Sequence, residues 1–181
     1  MNGYTIIMNG SLKSLIMPYS SEAFKDEIKQ HIFSNNNVGT KMLDVGVGAG
    51  RYGKMLGDFF YIDAVEIYAP YIERFNLREL YKNVHNVNIL AFDFSPYDYI
   101  IMGDILEHIP KYEAMNLVSK INSAGKKLLI AVPYMYEQGE SEGNVHEIHH
   151  QPDLTHEIFL ERYPCMKLLY KDDGYGYYIN Y

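Results

Sequence analysis

The sequence predicts an α/β domain with a doubly wound, mostly parallel sheet. Apolar runs of strand length alternate with segments whose apolar residues recur at three- and four-residue spacing, which is typical of parallel strands joined by helices. A glycine-rich turn follows the first apolar run, in the stretch MLDVGVGAG. Because 181 residues suffice for one hydrophobic core of this kind, we expect a single domain over residues 1–181.

The apolar runs and helical periods define the elements in chain order. Strands are predicted at Lys41–Val45, Ile62–Glu66, Val87–Leu90, Tyr97–Met102 and Lys127–Val132. Helices are predicted at Ser21–Phe33, Arg51–Phe60, Pro70–Tyr81, Pro110–Ser123 and Leu154–Tyr163. Two further runs, Met166–Tyr170 and Tyr175–Asn180, flank an Asp-Asp-Gly turn and predict a C-terminal antiparallel hairpin. The sheet would then have seven strands.

The composition excludes several classes of protein. A single cysteine, Cys165, permits no intramolecular disulfide and no cysteine-based zinc site. The net charge is −7 and the basic residues are scattered, so a large interface with duplex nucleic acid is not expected. No signal-peptide pattern and no apolar run of membrane-spanning length is visible, which predicts a cytoplasmic protein without a membrane partner.

Glycines occupy every second position after the first strand, at Gly46, Gly48 and Gly50. Glycine at such a turn lets the backbone approach a ligand and presents the N–H groups of a helix N-terminus. A dinucleotide fingerprint would need glycine at position 51, where the chain has Arg51, and this disfavours an NAD-binding oxidoreductase. The spacing from Asp44 through Gly50 instead resembles the first motif of class I S-adenosylmethionine-dependent methyltransferases.

This resemblance implies a ligand without a pyrophosphate. The loop would make room for the methionine part of the cofactor, and Asp44 would accept hydrogen bonds from its ammonium group. Glycine-rich turns between a strand and a helix also occur in many other α/β folds, so a purely structural turn is the alternative.

The end of the second predicted strand carries an acid, Glu66, about twenty residues after Gly46. A carboxylate there can bridge two ribose hydroxyls, and in the family that the chain resembles it holds the ribose. Ile67 would lie against the adenine ring. The alternative is that Glu66 caps the next helix.

The stretch YDYIIMGDILEHIP, from Tyr97 to Pro110, resembles the fourth strand of the same family and the loop that follows it. The resemblance places Asp104 at the carboxyl end of this strand, beside the cofactor. Three motifs in the expected order imply a Rossmann-like methyltransferase domain that uses S-adenosyl-L-methionine. Residues 41–133 would form the cofactor-binding half, 1–40 a helical lid and 134–181 the substrate side.

One departure from the family pattern concerns the connection between the third and fourth strands. Only Ala91–Pro96 separates the two predicted strands, so the third crossover helix is expected to be missing. Asp93 would be either the acid that contacts adenine or part of a short crossover. The sequence leaves both interpretations open.

A histidine-rich segment, Asn144–His150, follows the fifth strand, where open parallel sheets place their ligands. We predict that His149, steadied by Glu147, acts as base or orienting group for the acceptor, because histidine titrates near neutral pH. The histidines at the other positions of this region, His146, His150 and His156, are less favoured. The alternative is a solvated polar loop.

The predicted activity is methyl transfer to an oxygen or nitrogen atom of an acceptor that the sequence does not identify. A non-catalytic module that binds the cofactor or a partner is the main alternative. A second alternative is a metal site in which Glu107 and His108 converge with His146–His150. This arrangement resembles the Glu-x-x-Glu-His motif that RNA 3′-terminal 2′-O-methyltransferases use. The first acid of the motif would here be Asp104. The acidic charge and the lack of a basic extension disfavour this alternative, so no metal is expected.

Overall fold

The structure is a computed structural model that describes residues 21–181. Within these residues, the sheet contains seven strands in the order β3-β2-β1-β4-β5-β7-β6. The strands are β1 Lys41–Val45, β2 Tyr61–Val65, β3 Val84–His85, β4 Tyr99–Gly103, β5 Lys127–Pro133, β6 Lys167–Lys171 and β7 Tyr175–Ile179. Strands β1 to β5 run parallel to one another, and β7 runs antiparallel to both β5 and β6. The predicted fold class, with its C-terminal hairpin, is confirmed.

Within residues 21–181, six α-helices pack on this sheet. They are α1 Lys25–Asn35, α2 Arg51–Leu56, α3 Ala69–Arg74, α4 Leu77–Leu80, α5 Lys111–Ser123 and α6 His156–Arg162. The continuous helix predicted over Pro70–Tyr81 is wrong, because Asn76 adopts a left-handed backbone conformation (φ 49°) that separates α3 from α4. The start of α6 is fixed by Thr155, whose hydroxyl accepts a hydrogen bond from the N–H of Ile158 at 3.2 Å.

The third strand lies earlier in the chain than predicted. Instead of continuing as a strand over Val87–Leu90, the chain turns into a 3₁₀ helix at Ile89–Ala91. The Asn88 side chain stabilises this turn by accepting a hydrogen bond from the N–H of Leu90 at 2.9 Å. No α-helix lies between β3 and β4 in this described part of the chain, as the sequence predicts.

Side chains alternate between the two faces of the sheet, as strand geometry requires. In β1, Leu43 and Val45 belong to a core shared with α5 and α6, whereas Met42 faces the core shared with α1 and α2. Burial on both faces explains why the central strands are mostly apolar, with the buried Asp44 in β1 and Asp63 in β2 as exceptions. Functional groups are therefore restricted to the strand ends and the loops beyond them.

The sheet geometry brings the carboxyl ends of β1, β2, β4 and β5 to one edge, where open α/β sheets bind their ligands. The N-terminal half of the lid predicted over 1–40 lies outside the described residues. Among residues 21–181, no helix is both long enough and apolar enough to cross a membrane.

Candidate functional site

A cavity of about 520 Å³ lies at the carboxyl edge of the sheet. Its walls come from the loops after β1, β2 and β4 and from residues 134–155, the β5–α6 segment, which includes a 3₁₀ turn at Val145–Glu147. Small-molecule sites commonly measure roughly 300–1,000 Å³. The predicted site residues that line the cavity are Asp44, Gly46, Gly48, Glu66, Ile67, Asp104, Glu147 and His149.

The three glycines after β1 have different structural roles. Gly46 has a positive φ of 63°, and a Cβ atom there would lie only 1.8 Å from Cδ1 of Ile105. Gly48 also lines the cavity, whereas Gly50 does not. A Cβ atom at Gly50 would lie 2.6 Å from Cδ1 of Leu80, so Gly50 serves the packing of α2 against α4. The structure therefore does not bring Gly50 to the predicted cofactor site.

Asp44 lies at the end of β1 and is buried. The Tyr81 hydroxyl donates a hydrogen bond to its carboxylate at 2.5 Å and accepts one from the N–H of Gly53 at 3.0 Å. Burial raises the pKa of Asp44 to about 7, while the hydrogen bond from Tyr81 and the charge of Lys25 oppose this shift. A cationic ligand group would favour the ionised form.

Glu66 follows β2 and connects two loops of the site. Its carboxylate accepts hydrogen bonds from the N–H groups of Gly48, at 3.2 Å, and Tyr68, at 2.8 Å. Burial raises the pKa of Glu66 to about 7, and these backbone hydrogen bonds oppose the shift. Ile67 comes next in the chain and lines the same cavity. Glu66 is thus positioned by the glycine loop itself.

Lys25 in α1 is a buried cation that sequence reasoning missed. Its Nζ atom lies 4.9 Å from the ring centroid of Tyr52, which lines the cavity, and has no hydrogen-bond acceptor within residues 21–181. Burial lowers the pKa of Lys25 to about 8, while the charges of Asp104 and Asp44 oppose this shift. Lys25 lies on the same buried face of α1 as Ile28 and Ile32. A lysine at an apolar position of the helical pattern is the feature of the sequence that could have indicated a buried cation.

The structure places the two remaining acids of the predicted cofactor site differently. Asp104 follows β4 in a left-handed conformation (φ 57°) and lines the cavity. Asp93 is exposed and outside the cavity, where its carboxylate accepts hydrogen bonds from the N–H and the hydroxyl of Ser95 at 2.9 and 3.0 Å. Asp93 thus belongs to the short crossover, and the expectation that it contacts adenine has no support in its position.

The β5–α6 segment brings Glu147 and His149 to the cavity but holds them separately. Glu147 accepts hydrogen bonds from the Tyr71 hydroxyl and the Gln138 amide, both at 3.0 Å. His149 Nδ1 lies 2.8 Å from the carbonyl oxygen of Tyr136. Among the residues that the structure describes, Tyr136 and not Glu147 is the hydrogen-bond partner of the His149 imidazole, which corrects the predicted pairing. Burial lowers the pKa of His149.

Two further groups, Glu107 and His108, line the same part of the cavity as His149. The ring centroids of His108 and His149 are 4.5 Å apart, with the rings nearly perpendicular. Burial lowers the pKa of His108 to about 4, so its imidazole is neutral at pH 7. His156, by contrast, lies 3.0 Å from the Tyr178 hydroxyl and does not line the cavity.

No family profile and no curated protein matches the chain, but solved structures match its fold. DhpI in complex with S-adenosylhomocysteine superposes with a TM-score of 0.65 at 13% identity, over 86% of this chain and 84% of DhpI. The 1,6-didemethyltoxoflavin-N1-methyltransferase of Burkholderia thailandensis, bound to 1,6-didemethyltoxoflavin and S-adenosylhomocysteine, gives 0.57 at 16% identity, over 87% and 76%.

PigF with S-adenosylhomocysteine gives a TM-score of 0.60 at 13% identity, over 84% of this chain and 53% of PigF. The chain therefore spans about half the length of PigF. These superpositions decide the fold. The chain has the class I methyltransferase fold.

This methyltransferase fold carries a second cavity, of about 220 Å³, beside the short crossover between β3 and β4. The two cavities share Gly46, Ile67 and Ile105, so they adjoin each other. The second cavity is lined mainly by apolar side chains, including Val65, Val87, Ile89 and Leu90. It offers a flat, apolar group a place next to the end of β2.

Proposed function

We propose that the chain binds S-adenosylmethionine in the main cavity and transfers its methyl group to an oxygen or nitrogen nucleophile. The observation that carries this proposal is the position of Glu66, at the end of β2 and joined to Gly48 of the loop after β1. A carboxylate held there can accept hydrogen bonds from two ribose hydroxyls. Three proteins of the same fold, compared above, hold S-adenosylhomocysteine.

The second cavity supports an orientation for the adenosine part of the cofactor. With the ribose at Glu66, the adenine would extend along Ile67 into the apolar space beside the 3₁₀ turn at Ile89–Ala91. Burial of an aromatic base against aliphatic side chains is favourable because it removes apolar surface from water. The missing crossover helix leaves this space available.

The amino-acid part of the cofactor would lie at the opposite end, among Asp44, Asp104 and Lys25. Asp44 and Asp104 would attract its ammonium group, and the Lys25 ammonium would attract its carboxylate. These opposite charges already interact in the protein, because the negative charges of Asp44 and Asp104 raise the pKa of Lys25 against the effect of burial. Charge-assisted hydrogen bonds of this type are about twice as strong as neutral ones.

The chemical step needs little activation, because the sulfonium of the cofactor is already a good methyl donor. Holding donor and acceptor in line can lower the barrier by roughly 7–11 kcal/mol. The methyl carbon leaves sulfur for the acceptor atom, the acceptor loses its proton, and the cofactor remains as a neutral thioether. In the metal-free protein His149 would receive that proton, because its lowered pKa keeps the imidazole neutral at pH 7.

The geometry supports an acceptor that reaches the β5–α6 segment, where Glu147 and His149 line the cavity. A small molecule is favoured, because this segment forms one wall of the cavity and the net charge of the sequence is −7 with scattered basic residues. A related fold holds the small molecule 1,6-didemethyltoxoflavin. We propose that Glu147 contacts a polar group of the acceptor and does not itself move the proton.

Calorimetry tests the cofactor proposal directly. We expect S-adenosylhomocysteine to bind with micromolar affinity and NAD to give no heat of binding. Tight binding of NAD without a response to S-adenosylhomocysteine would contradict the proposal. Consumption of S-adenosylmethionine with any acceptor would separate an enzyme from a non-catalytic module of the same fold.

A structure with S-adenosylhomocysteine tests the role of His149. We expect its imidazole on the same side of the sheet as the sulfur atom, within reach of a bound acceptor. An ordered ring that points away from the sulfur would remove His149 from the chemistry and leave the β5–α6 segment as a structural wall.

A further inference from the structure

Glu107 carries a buried carboxyl group that has no hydrogen-bond partner within residues 21–181. Only 1% of its surface is exposed, and neither carboxylate oxygen has a hydrogen-bond partner among residues 21–181. A buried carboxylate normally requires hydrogen bonds or a cation, since its desolvation costs several kcal/mol in order of magnitude. Glu107 has no role in the proposed methyl transfer, although its side chain lines the cavity.

Two imidazoles complete a cluster around this carboxyl group. One ligand atom each from Glu107, His108 and His149 lies within 4.8 Å of the other two. Nδ1 of His108 is buried and has no hydrogen-bond partner in the described part of the chain. Three potential ligand atoms therefore lie close together, and within residues 21–181 neither the Glu107 carboxylate nor Nδ1 of His108 has a hydrogen-bond partner.

The hydrogen bond of His149 fixes which of its nitrogen atoms is available. A carbonyl oxygen can only accept, so neutral His149 must donate from Nδ1 to the carbonyl of Tyr136, at 2.8 Å. The lone pair then resides on Nε2. Metal-binding histidines commonly make such a bond through their second nitrogen atom, because it fixes the tautomer and the ring orientation.

The backbone around the cluster is also held in place. The N–H groups of His150 and Gln151 donate to the carbonyl oxygen of Glu107 at 2.8 and 3.1 Å. These bonds attach the β5–α6 segment, which carries His149, to the turn that carries Glu107 and His108. The three groups are thus positioned by contacts that do not depend on a ligand.

We propose that Glu107, His108 and His149 bind one divalent transition-metal ion, such as zinc, cobalt or manganese. One carboxylate and two imidazoles form a ligand set typical of catalytic sites for such ions, with coordination positions left for other groups. Asp104 and Glu147 line the same cavity and add negative charge around the site. The structure thereby favours a metal that the sequence alone disfavours.

The inference deepens the proposed function, and its consequence for catalysis rests on that function. A metal ion with an open coordination position would bind the acceptor atom next to the methyl donor and lower the pKa of the acceptor group. His149 would then be a ligand, and another group or water would receive the proton. An acceptor that binds through oxygen suits this arrangement best.

Cobalt binding to the tag-free, chelator-treated full chain tests the site without any acceptor. We expect one Co²⁺ per chain with micromolar affinity and a visible absorption band from protein ligands. Glu107→Gln, His108→Asn and His149→Asn are each expected to weaken Co²⁺ binding at least tenfold. His146→Asn is the matched control, because His146 lines the cavity but lies outside the cluster.

Binding of S-adenosylhomocysteine is measured on the same samples, and circular dichroism checks that every variant is folded. Absence of Co²⁺ binding, or equal binding by wild type and a folded His149→Asn variant, would overturn the metal site. If S-adenosylhomocysteine still binds in that case, the proposed function stands without the metal. Stoichiometric Co²⁺ binding without a response to S-adenosylhomocysteine would support the site and contradict the function.

Discussion

The two walls of the main cavity are built in different ways. The wall from β1 and β2 takes its polar groups from strand ends, where backbone N–H groups fix Glu66 and where β1 and the Tyr81 hydroxyl fix Asp44. The β5–α6 segment has only a single 3₁₀ turn, and its Glu147 is held by side-chain hydrogen bonds from Tyr71 of α3 and from Gln138 of the same segment. A wall built on the sheet is rigid before a ligand arrives, whereas a segment held by side chains can adjust. We therefore expect the first wall to determine cofactor affinity and the second to determine the acceptor.

The largest effect is expected at the ribose position. Glu66→Ala removes a carboxylate that would accept hydrogen bonds from the ribose, and should weaken S-adenosylhomocysteine binding by about 1.5–3 kcal/mol. That loss corresponds to roughly ten- to a hundredfold in Kd by calorimetry. Glu73→Ala is the control, because Glu73 is exposed on α3. An unchanged affinity in a folded Glu66→Ala protein would remove Glu66 from the cofactor site.

Cofactor affinity should also depend on pH, since the pKa of Asp44 is about 7 in the empty protein. The cofactor ammonium prefers the ionised carboxylate, so S-adenosylhomocysteine should bind about tenfold more tightly at pH 8 than at pH 6. Calorimetry in buffers of different ionisation enthalpy would show release of a proton on binding at pH 6. A Kd independent of pH would mean that Asp44 does not contact the ammonium group.

The same raised pKa has the opposite effect on the stability of the empty protein. Folded Asp44 holds its proton up to about pH 7, whereas an unfolded aspartic acid loses it near its ordinary pKa of 3.8. This contribution to the free energy of unfolding is therefore present at acid pH and is lost as the pH rises through 7. The difference in melting temperature between the protein with and without S-adenosylhomocysteine should therefore be largest above pH 7.

A smaller and more selective effect is expected at Lys25. Lys25→Met should weaken S-adenosylhomocysteine binding about five- to tenfold, because the cofactor carboxylate loses its cation. Binding of 5′-methylthioadenosine, which lacks the amino-acid part, should not change. Lys29→Met is the control on the exposed side of α1. Equal losses for both ligands would show that Lys25 supports the fold of the cavity and not the carboxylate.

The smallest effect is expected on the β5–α6 segment. Tyr71→Phe removes the hydroxyl that donates to Glu147, a hydrogen bond with a net value of about 1 kcal/mol. Hydrogen exchange in residues 134–155 should become about fivefold faster, with little change in S-adenosylhomocysteine affinity. Tyr112→Phe is the control, since Tyr112 is 75% exposed. Exchange that accelerates equally at β1 and β2 would contradict the difference between the walls.

The part of the site that follows strand ends could be predicted from the sequence. The bounds of β1 agree with the prediction, and Asp44, Glu66 and Asp104 meet at one edge because parallel strands end together. Periodicity and turn residues carry this information locally. The same local information placed the third strand too late, because it did not include the hydrogen bond from the N–H of Leu90 to the Asn88 side chain.

The remaining features depend on contacts between distant parts of the chain. Gly50 packs against Leu80, and Tyr81 holds Asp44, across separations that no local pattern reveals. Lys25 comes near the cavity only because α1 packs beside Tyr52, which lines it. The convergence of His149 with Glu107 likewise requires the β5–α6 segment to dock on the turn after β4.

The connections between α3 and the β5–α6 segment have a thermodynamic consequence. Tyr71 donates to Glu147, and Arg74 forms an ion pair with Glu142, so the helix that follows Glu66 and Ile67 is joined to the opposite wall. A ligand that stabilises one side of these connections changes the free energy of the other side. Coupling of this kind is reciprocal. If bound S-adenosylhomocysteine changes the affinity for the acceptor by some factor, the bound acceptor changes the affinity for S-adenosylhomocysteine by the same factor.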